Sequence, residues 1–372
     1  MHSRLGAFFS PVHETGQDPH LALKRDMDLV RLLDELNFDE AWFGEHHSLG
    51  WGLTGAPETM IAACSQVTKQ IRLANGVVPL SGHHPFHVAS RAIHLDQLSR
   101  GRYMLGVGPG VPFDAGIIGL SPTEQRKRLS EALPDVVELV NGGSRVSSET
   151  NWYSLCDAQV QLPRFSPDGI EVAMSTSGTS ESTPQMLGKY GLSMLSFALP
   201  FTVPRPGANG HIPLARQWEL AEEAAAQNGR TISRDNWRIV LPIHVAETRQ
   251  QALEDVRAGY DRWVYEYFGR IAGRDLVGPE TPRGRILEER IESGGALVGS
   301  VEDVLAGVSR LQEETGGFGR LVAYVADWTS WEKTDLSMQL LARYISPELT
   351  GSAQRPIDAA EHAIVQRQMS AV

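Results

Sequence analysis

Three ionisable side chains, Glu45, His46 and His47, close the decapeptide 38–47, FDEAWFGEHH. An imidazole changes charge within the working pH range of most enzymes, so a histidine placed there can give or take a proton. On extended backbone successive side chains point to opposite faces, so Glu45 and His47 share one side and His46 takes the other. A strand that is apolar along its length and charged at its C-terminal end is how a parallel α/β barrel presents chemistry. The plainer reading is a strand followed by a solvated loop, and the decapeptide alone does not separate the two.

Other chemistries are weighed on spacing. The chain has 12 histidines, yet none are separated by exactly one residue. His46-His47 and His83-His84 are adjacent pairs whose side chains diverge on extended backbone. There is no His-Glu-x-x-His, so no metal centre is expected. No Gly-x-Ser-x-Gly elbow occurs, and Cys64 lies in an apolar helical pattern where cysteine usually packs. Paired carboxylates of the glycosidase kind would need Asp114 or Asp327 beside Glu45, and nothing in the spacing pairs them. The run 106–110, GVGPG, is not a dinucleotide fingerprint, because Val111 stands where the third glycine belongs. It reads either as a tight turn or as backbone kept bare for a flat ligand. Residues 174–180, MSTSGTS, follow a strand with hydroxyls and a glycine. They read as an N-capped turn or as an anion site at a helix start, with Arg126 and Arg128 as secondary sources of positive charge.

The elements that would position these groups come from periodicity. Strands are expected at 5–9, 38–47, 71–80, 102–107, 170–174, 192–199, 237–245 and 321–325. Helices are expected at 21–36, 57–69, 86–98, 123–140, 214–227, 249–267, 301–314 and 336–344. The first half repeats strand, loop and helix at roughly 30–35 residues per unit, the spacing of parallel βαβ units. Eight strands in that order favour one closed (β/α)8 TIM-type barrel over 1–346, with insertions near 142–168 and 269–300 and a tail at 347–372. Residues 152–162 are expected to form a hairpin, 200–213 a proline-rich loop, and 269–295 a mobile, glycine-hinged lid without periodicity.

Composition agrees with an ordinary globular protein: 372 residues, 41% hydrophobic and 21% charged. A net charge of −11 argues against nucleic acid or an anionic membrane as partner. Two cysteines make no disulfide framework, and a cytoplasmic enzyme is the expectation.

Glu45-His46-His47, Asn75-Gly76-Val77-Val78, His84-Pro85, the run Leu95-Asp96-Gln97-Leu98-Ser99-Arg100-Gly101-Arg102 and the late Val298-Gly299-Ser300-Val301-Glu302 together resemble the bacterial luciferase-like flavin monooxygenases. The loop 51–57 and the turn 106–110 look like the limonene-monooxygenase branch. The resemblance reaches to about Tyr344. It implies a barrel that takes reduced FMN from a separate NAD(P)H:flavin reductase, forms a C4a-hydroperoxide with O2 and oxygenates a small hydrophobic substrate such as a terpene, ketone or aldehyde. A homodimer goes with that expectation. Carried over by position, His46 matches the catalytic histidine. Glu45, Gly76, Val77 and Gly108 match positions near the flavin ring. Met174, Ser175, Thr176, Thr179, Ser196 and Phe197 match the phosphate region, and Arg126 or Arg128 its arginine. Trp51, His83, Phe86 and Phe113 are expected at the substrate. A cis peptide is implied between Gly76 and Val77. Gly108, Pro109 and Met174 stand where luciferase has cysteine, arginine and glutamate, which argues against light emission from a long aldehyde and leaves FAD or F420 open as the flavin. The rival readings are an F420-dependent hydride-transferring oxidoreductase and a non-catalytic partner subunit.

Overall fold

Parallel strands buried on both faces carry almost continuous apolar runs, and the long apolar strand 237–245 is such a run. In the computed structural model, which describes residues 3–10, 12–198, 211–274, 276–277, 282 and 284–370, eight such strands close into a barrel. They are β1 (Arg4–Phe9), β2 (Glu40–Phe43), β3 (Arg72–Asn75), β4 (Tyr103–Gly108), β5 (Glu171–Thr176), β6 (Ser193–Phe197), β7 (Trp237–Val245) and β8 (Arg320–Val325). Each pairs in parallel with the next, and β8 returns to β1 in the register Arg4↔Arg320 to Phe9↔Val325. The expected (β/α)8 barrel and its eight strands are therefore the observed ones.

Differences lie at the ends. The second strand stops at Phe43 instead of running to His47, because the backbone turns to let the His46 N–H donate to the Thr54 carbonyl at 3.1 Å. The third is interrupted after Asn75 by the Gly76–Val77 peptide, which is cis, and resumes at Val78–Pro79 against β4. Gly106 is obligatory there: a Cβ would lie 2.0 Å from the Asn75 carbonyl oxygen. Ser175 and Thr176, read as loop, belong to β5. The hairpin is formed by Val146–Glu149 and Ser154–Ala158, so it begins earlier than expected. The segment read as an aperiodic lid contains the helix Ile286–Glu292, whose Ile286 and Leu287 are buried, and just beyond it Leu297–Gly299 pairs with the long end of β7. Positions 275, 278–281 and 283 of that segment, 199 at the end of the expected strand 192–199, and 200–210 of the proline-rich loop lie outside the described residues. The helix after β7 runs as α-helix over Arg249–Asp261 and as π-helix over Arg262–Ile271. The tail ends in a helix, Gln354–Ser370.

Side chains alternate between two cores. Val172, Met174, Met194, Ile239 and Leu241 face outward and pack under the helices. Phe8, Trp42, Ala74, Met104, Ala173, Leu195, Val240 and Val322 fill the barrel itself. The N-terminal end of the barrel is closed by charge. Arg238, fully buried, donates to Glu40 at 2.6 Å and to Glu171 at 2.5 Å, and Arg72 donates to Glu171 at 2.7 Å. The opposite, C-terminal end is left for the loops.

Candidate active site

Residues 45–47 leave β2 at that C-terminal end and separate as alternation predicts, although on irregular backbone. His46 turns to Asp114, with Nδ1 2.8 Å from Oδ2. Ser48 Oγ and the His47 N–H donate to the other oxygen, Oδ1. Burial opposes the charge on Asp114, but the bonds from His46, Ser48 and the His47 N–H outweigh it and hold the carboxyl below its usual range. Asp114 comes from the short helix Pro112–Ile117, whose six residues give too little pattern for periodicity to reveal. Phe113 in the same turn lies beside the His46 ring, centroids 6.0 Å apart and 29° between planes. The guanidinium of Arg274 sits 5.9 Å from the Phe113 centroid.

Glu45 takes the other direction. Its side chain is 1% exposed, and Oε1 receives both His47 Nε2 at 2.9 Å and His83 Nε2 at 2.7 Å. Arg91 lies 3.3 Å from His83 Nδ1, so a donation there puts the ring proton on Nε2, facing Glu45. Glu45 Oε2 is buried and has no partner among the described residues. His83, expected at the substrate, is thus a partner of Glu45.

Across the mouth, a Cβ on Gly108 would come within 2.6 Å of Ser175 Oγ and 2.8 Å of Val77 Cγ2. The bare backbone of β4 therefore admits these two side chains, and Gly108, Ser175 and Val77 lie together. Gly76 abuts Phe8, where a Cβ would come within 2.6 Å of the ring. Phe197 meets the same Phe8 ring edge-on at 5.0 Å. Beyond β5, the hydroxyls of Ser177 and Thr179 are 3.0 Å apart and exposed. Gly178, at φ +69°, accepts from the Ile212 N–H, and the His211 ring fills the space where its Cβ would stand. Burial lowers the His211 imidazole's pKa. Nothing in the local sequence singled out His211.

Several expected residues point elsewhere. Met174 is buried in the outer core under the helices. Thr176 donates outward to Gln217 at 3.1 Å, and Ser196 is fully buried and accepts from the Trp237 indole at 3.0 Å. These three occupy the outward phase of strands covered on both sides, where sequence carries no alternation to read. Arg128 lies over Trp152 at 5.0 Å and against the Ser81 carbonyl, and Arg126 is exposed. Phe86 packs against the helix-side core beside His87. Trp51 is brought to the mouth, buried against Tyr267. A groove of about 460 Å³ between the helices Ser182–Tyr190 and Leu214–Gln227 lies on the outer helical surface, away from the strand ends.

No group of three or more potential ligands that could hold a metal ion occurs among the described residues, and none of their helices is long and apolar enough to cross a membrane. The site suits a flavin phosphate and ring. Hydroxyls of Ser175, Ser177 and Thr179 offer donors to an anion, and the bare Glu45 oxygen offers a buried acceptor to a ring N–H.

The family model described as luciferase-like monooxygenase matches residues 3–317. The chain is 43% identical over 348 residues to 4-hydroxyprotoasukamycin monooxygenase of Streptomyces nodosus subsp. asukaensis, covering 93% of this chain and 92% of that protein. It is 37% identical to limonene 1,2-monooxygenase of Rhodococcus erythropolis, over 93% and 86% of the two chains. Among solved structures it superposes with a TM-score of 0.74 at 24% identity on the oxygenating constituent of 3,6-diketocamphane monooxygenase from Pseudomonas putida in complex with FMN, over 93% of this chain and 99% of that one. The chain therefore belongs to the luciferase-like monooxygenase family and is an oxidoreductase.

Proposed function

We propose that this enzyme uses reduced FMN, supplied by a separate NAD(P)H:flavin reductase, and O2 to place one oxygen atom in a small hydrophobic substrate. The observation that carries the reading is the His46–Asp114 pair at 2.8 Å, set at the mouth of a barrel whose neighbouring loops present hydroxyls and one bare buried carboxylate oxygen. The names of the relatives at 43% and 37% identity support oxygenation over hydride transfer with F420.

Reduced flavin, when bound, would supply the activation of oxygen, which no side chain of the chain can perform. What the chain does is hold and time protons. With Nδ1 engaged by Asp114, His46 has Nε2 left to face the ligand, and the carboxylate fixes both ring orientation and tautomer. From Nε2 the imidazole would give a proton at the reacting centre and take one back there, which is general acid–base work. Ser175, Ser177 and Thr179 would hold the phosphate, and the Glu45 oxygen would take an N–H of the ring. Trp51, Phe113 and Tyr267 exclude water from the reacting atoms. Met174, Thr176 and Ser196, whose side chains point into the outer layer, would support this site from behind. A homodimer is part of the same proposal.

Anaerobic titration with reduced FMN, FAD and F420, followed by mixing with labelled O2 and a panel of terpenes, ketones and aldehydes, tests the reading. Saturable binding of reduced FMN and one labelled oxygen atom per product are expected. Binding of F420 alone, with hydride transfer and no label, replaces this reading with the F420-dependent one.

A further inference from the structure

The turn that follows β5 is held from outside by a segment remote in the chain. The Gly178 carbonyl accepts from the Ile212 N–H at 2.9 Å, and the Ile212 carbonyl accepts from the Gln217 amide at 2.8 Å. These two bonds set the preceding residue over the turn. A Cβ on Gly178 would lie 2.3 Å from His211 Cε1 and 2.6 Å from its Nδ1. The imidazole thus stands where glycine leaves room, and a side chain at 178 would displace it. Ser177 and Thr179, on either side of Gly178, pair their exposed hydroxyls at 3.0 Å, and His211 is exposed beside them.

Hydroxyls donate to an anion but carry no charge of their own. Arg128, one of the arginines expected to bring that charge, is held over Trp152 at 5.0 Å and against the Ser81 carbonyl at 3.4 Å. The charged groups on the elements flanking His211 are Glu181 and Arg216. Glu181 is exposed ahead of the helix Ser182–Tyr190, and Arg216 is engaged by Glu219 at 3.1 Å and Glu223 at 2.9 Å on the helix Leu214–Gln227. Gln217, the other side chain at Gly178, does not titrate. Among the described residues no neighbouring charge adds to the shift of His211: partial burial lowers the imidazole's pKa. The empty site therefore holds a mostly neutral ring at pH 7, and an anion set beside it would raise that pKa. Such a ring ties anion binding to proton uptake.

We propose that His211 supplies the positive charge that holds the flavin's terminal phosphate at the turn 177–179, and so makes the site select FMN over riboflavin. Resting on the flavin reading above, this adds a specificity-determining residue to the same site. Because the imidazolium forms as the phosphate arrives, affinity for FMN strengthens as pH falls through the pKa of the filled site. It levels off below the pKa of the empty one.

Riboflavin is FMN without its phosphate, so anaerobic fluorescence titration of the full-length protein with the two reduced flavins, between pH 5.5 and pH 8.5, isolates the phosphate. The FMN-over-riboflavin affinity ratio is expected to rise by about 3–30-fold toward acid, the effect of one opposite charge at a partly exposed site. His211→Gln keeps the bulk and a donor but takes no proton, so it should lose that rise while riboflavin still binds. Phosphate's own ionisation acts on both proteins alike, and the difference between their profiles belongs to the imidazole. In carbon-13 NMR of histidine-labelled protein, the ring resonance absent from His211→Gln should titrate at higher pH with reduced FMN, and with inorganic phosphate alone, than without them. Coincident pH profiles in parent and His211→Gln overturn the role of His211. Saturable FMN binding that leaves the His211 titration unmoved does the same and leaves the flavin reading standing. A His211 titration raised by inorganic phosphate in a protein that binds no flavin supports the anion site and overturns the flavin reading. If neither FMN nor inorganic phosphate moves it, His211 holds no anion.

Discussion

Asp114 and His46 stand 68 positions apart in the chain, yet their side chains form one unit. If His46 moves the proton, His46→Ala should bind reduced FMN as the parent does and lose roughly 10²–10⁴-fold in product formation. Asp114→Asn keeps the shape but removes the charge that orients the ring, so a loss of about 10–100-fold is expected, and the pH–rate profile should shift. A parental profile in Asp114→Asn would detach the carboxylate from the chemistry. The Glu45-His46-His47 triplet was legible in sequence because a strand and a charged end are local. Asp114 was not, since it met only the question of a second carboxylate. A buried histidine away from the chemistry gives a second test. His13 lies between Asp26 at 3.0 Å and Asp327 at 3.3 Å. Burial opposes its charge, but hydrogen bonds and attraction to both carboxylates prevail and raise its pKa from 6.5 to about 9. A folded value above the unfolded one gives stability that is complete below pH 6.5 and lost as pH rises through 9. Urea unfolding should therefore show a fall of roughly 3 kcal/mol between pH 6 and pH 10 that His13→Gln removes, taking 1.36 kcal/mol per unit. An equal fall in both proteins would assign it to another group.

At the scale of elements, the strands were readable and their faces were not. Residues 170–174 announce a strand by composition, but both sides of a barrel strand are buried, so nothing distinguishes Met174 from Ala173 until the helices are in place. Structure assigns Ser175 and Gly108 to the mouth and sends Met174 and Thr176 outward. Gly108→Ala should accordingly fold, because the clash is with the movable Ser175 and Val77 side chains, and lose at least about tenfold in affinity for reduced FMN by displacing them. Ser175→Asp and Thr179→Asp should each weaken binding further by repelling the phosphate. Fluorescence titration reads all three, and unchanged affinity in both aspartate variants would move the phosphate elsewhere. The same scale corrects the lid. A seven-residue helix is too short to show a period, so Ile286–Glu292 looked aperiodic, yet Leu287 is fully buried and Glu288 bonds Arg257 at 2.6 Å. Its excision would open the barrel's core as well as its mouth.

The whole molecule divides its tasks between the two ends of one barrel. Loops at the C-terminal end carry hydroxyls, histidines and unpartnered groups, while the N-terminal end is sealed by Arg238, Glu40, Glu171 and Arg72. Burial opposes ionisation of Glu171, but the charges of Arg238 and Arg72 outweigh it and keep it below its usual range, so this floor stays charged at any pH the protein meets. No sequence pattern reveals such a network, whose members are 67 and 198 positions apart and become neighbours only on closure of the ring. Breaking a buried ion pair costs about 3–5 kcal/mol. Arg238→Met should lower unfolding free energy by up to that much, since it takes the one fully buried guanidinium from both Glu40 and Glu171 and leaves them only Arg320 at 3.2 Å and Arg72 at 2.7 Å. Because the floor lies a barrel's length from the mouth, the folded fraction of Arg238→Met should bind reduced FMN with parental affinity. Gly108→Ala should do the reverse, keeping stability within about 1–3 kcal/mol of the parent and losing the ligand. Denaturation and flavin titration on the two variants together test the division. If Arg238→Met weakens flavin binding in the folded protein, the two ends are mechanically coupled and the floor belongs to the site.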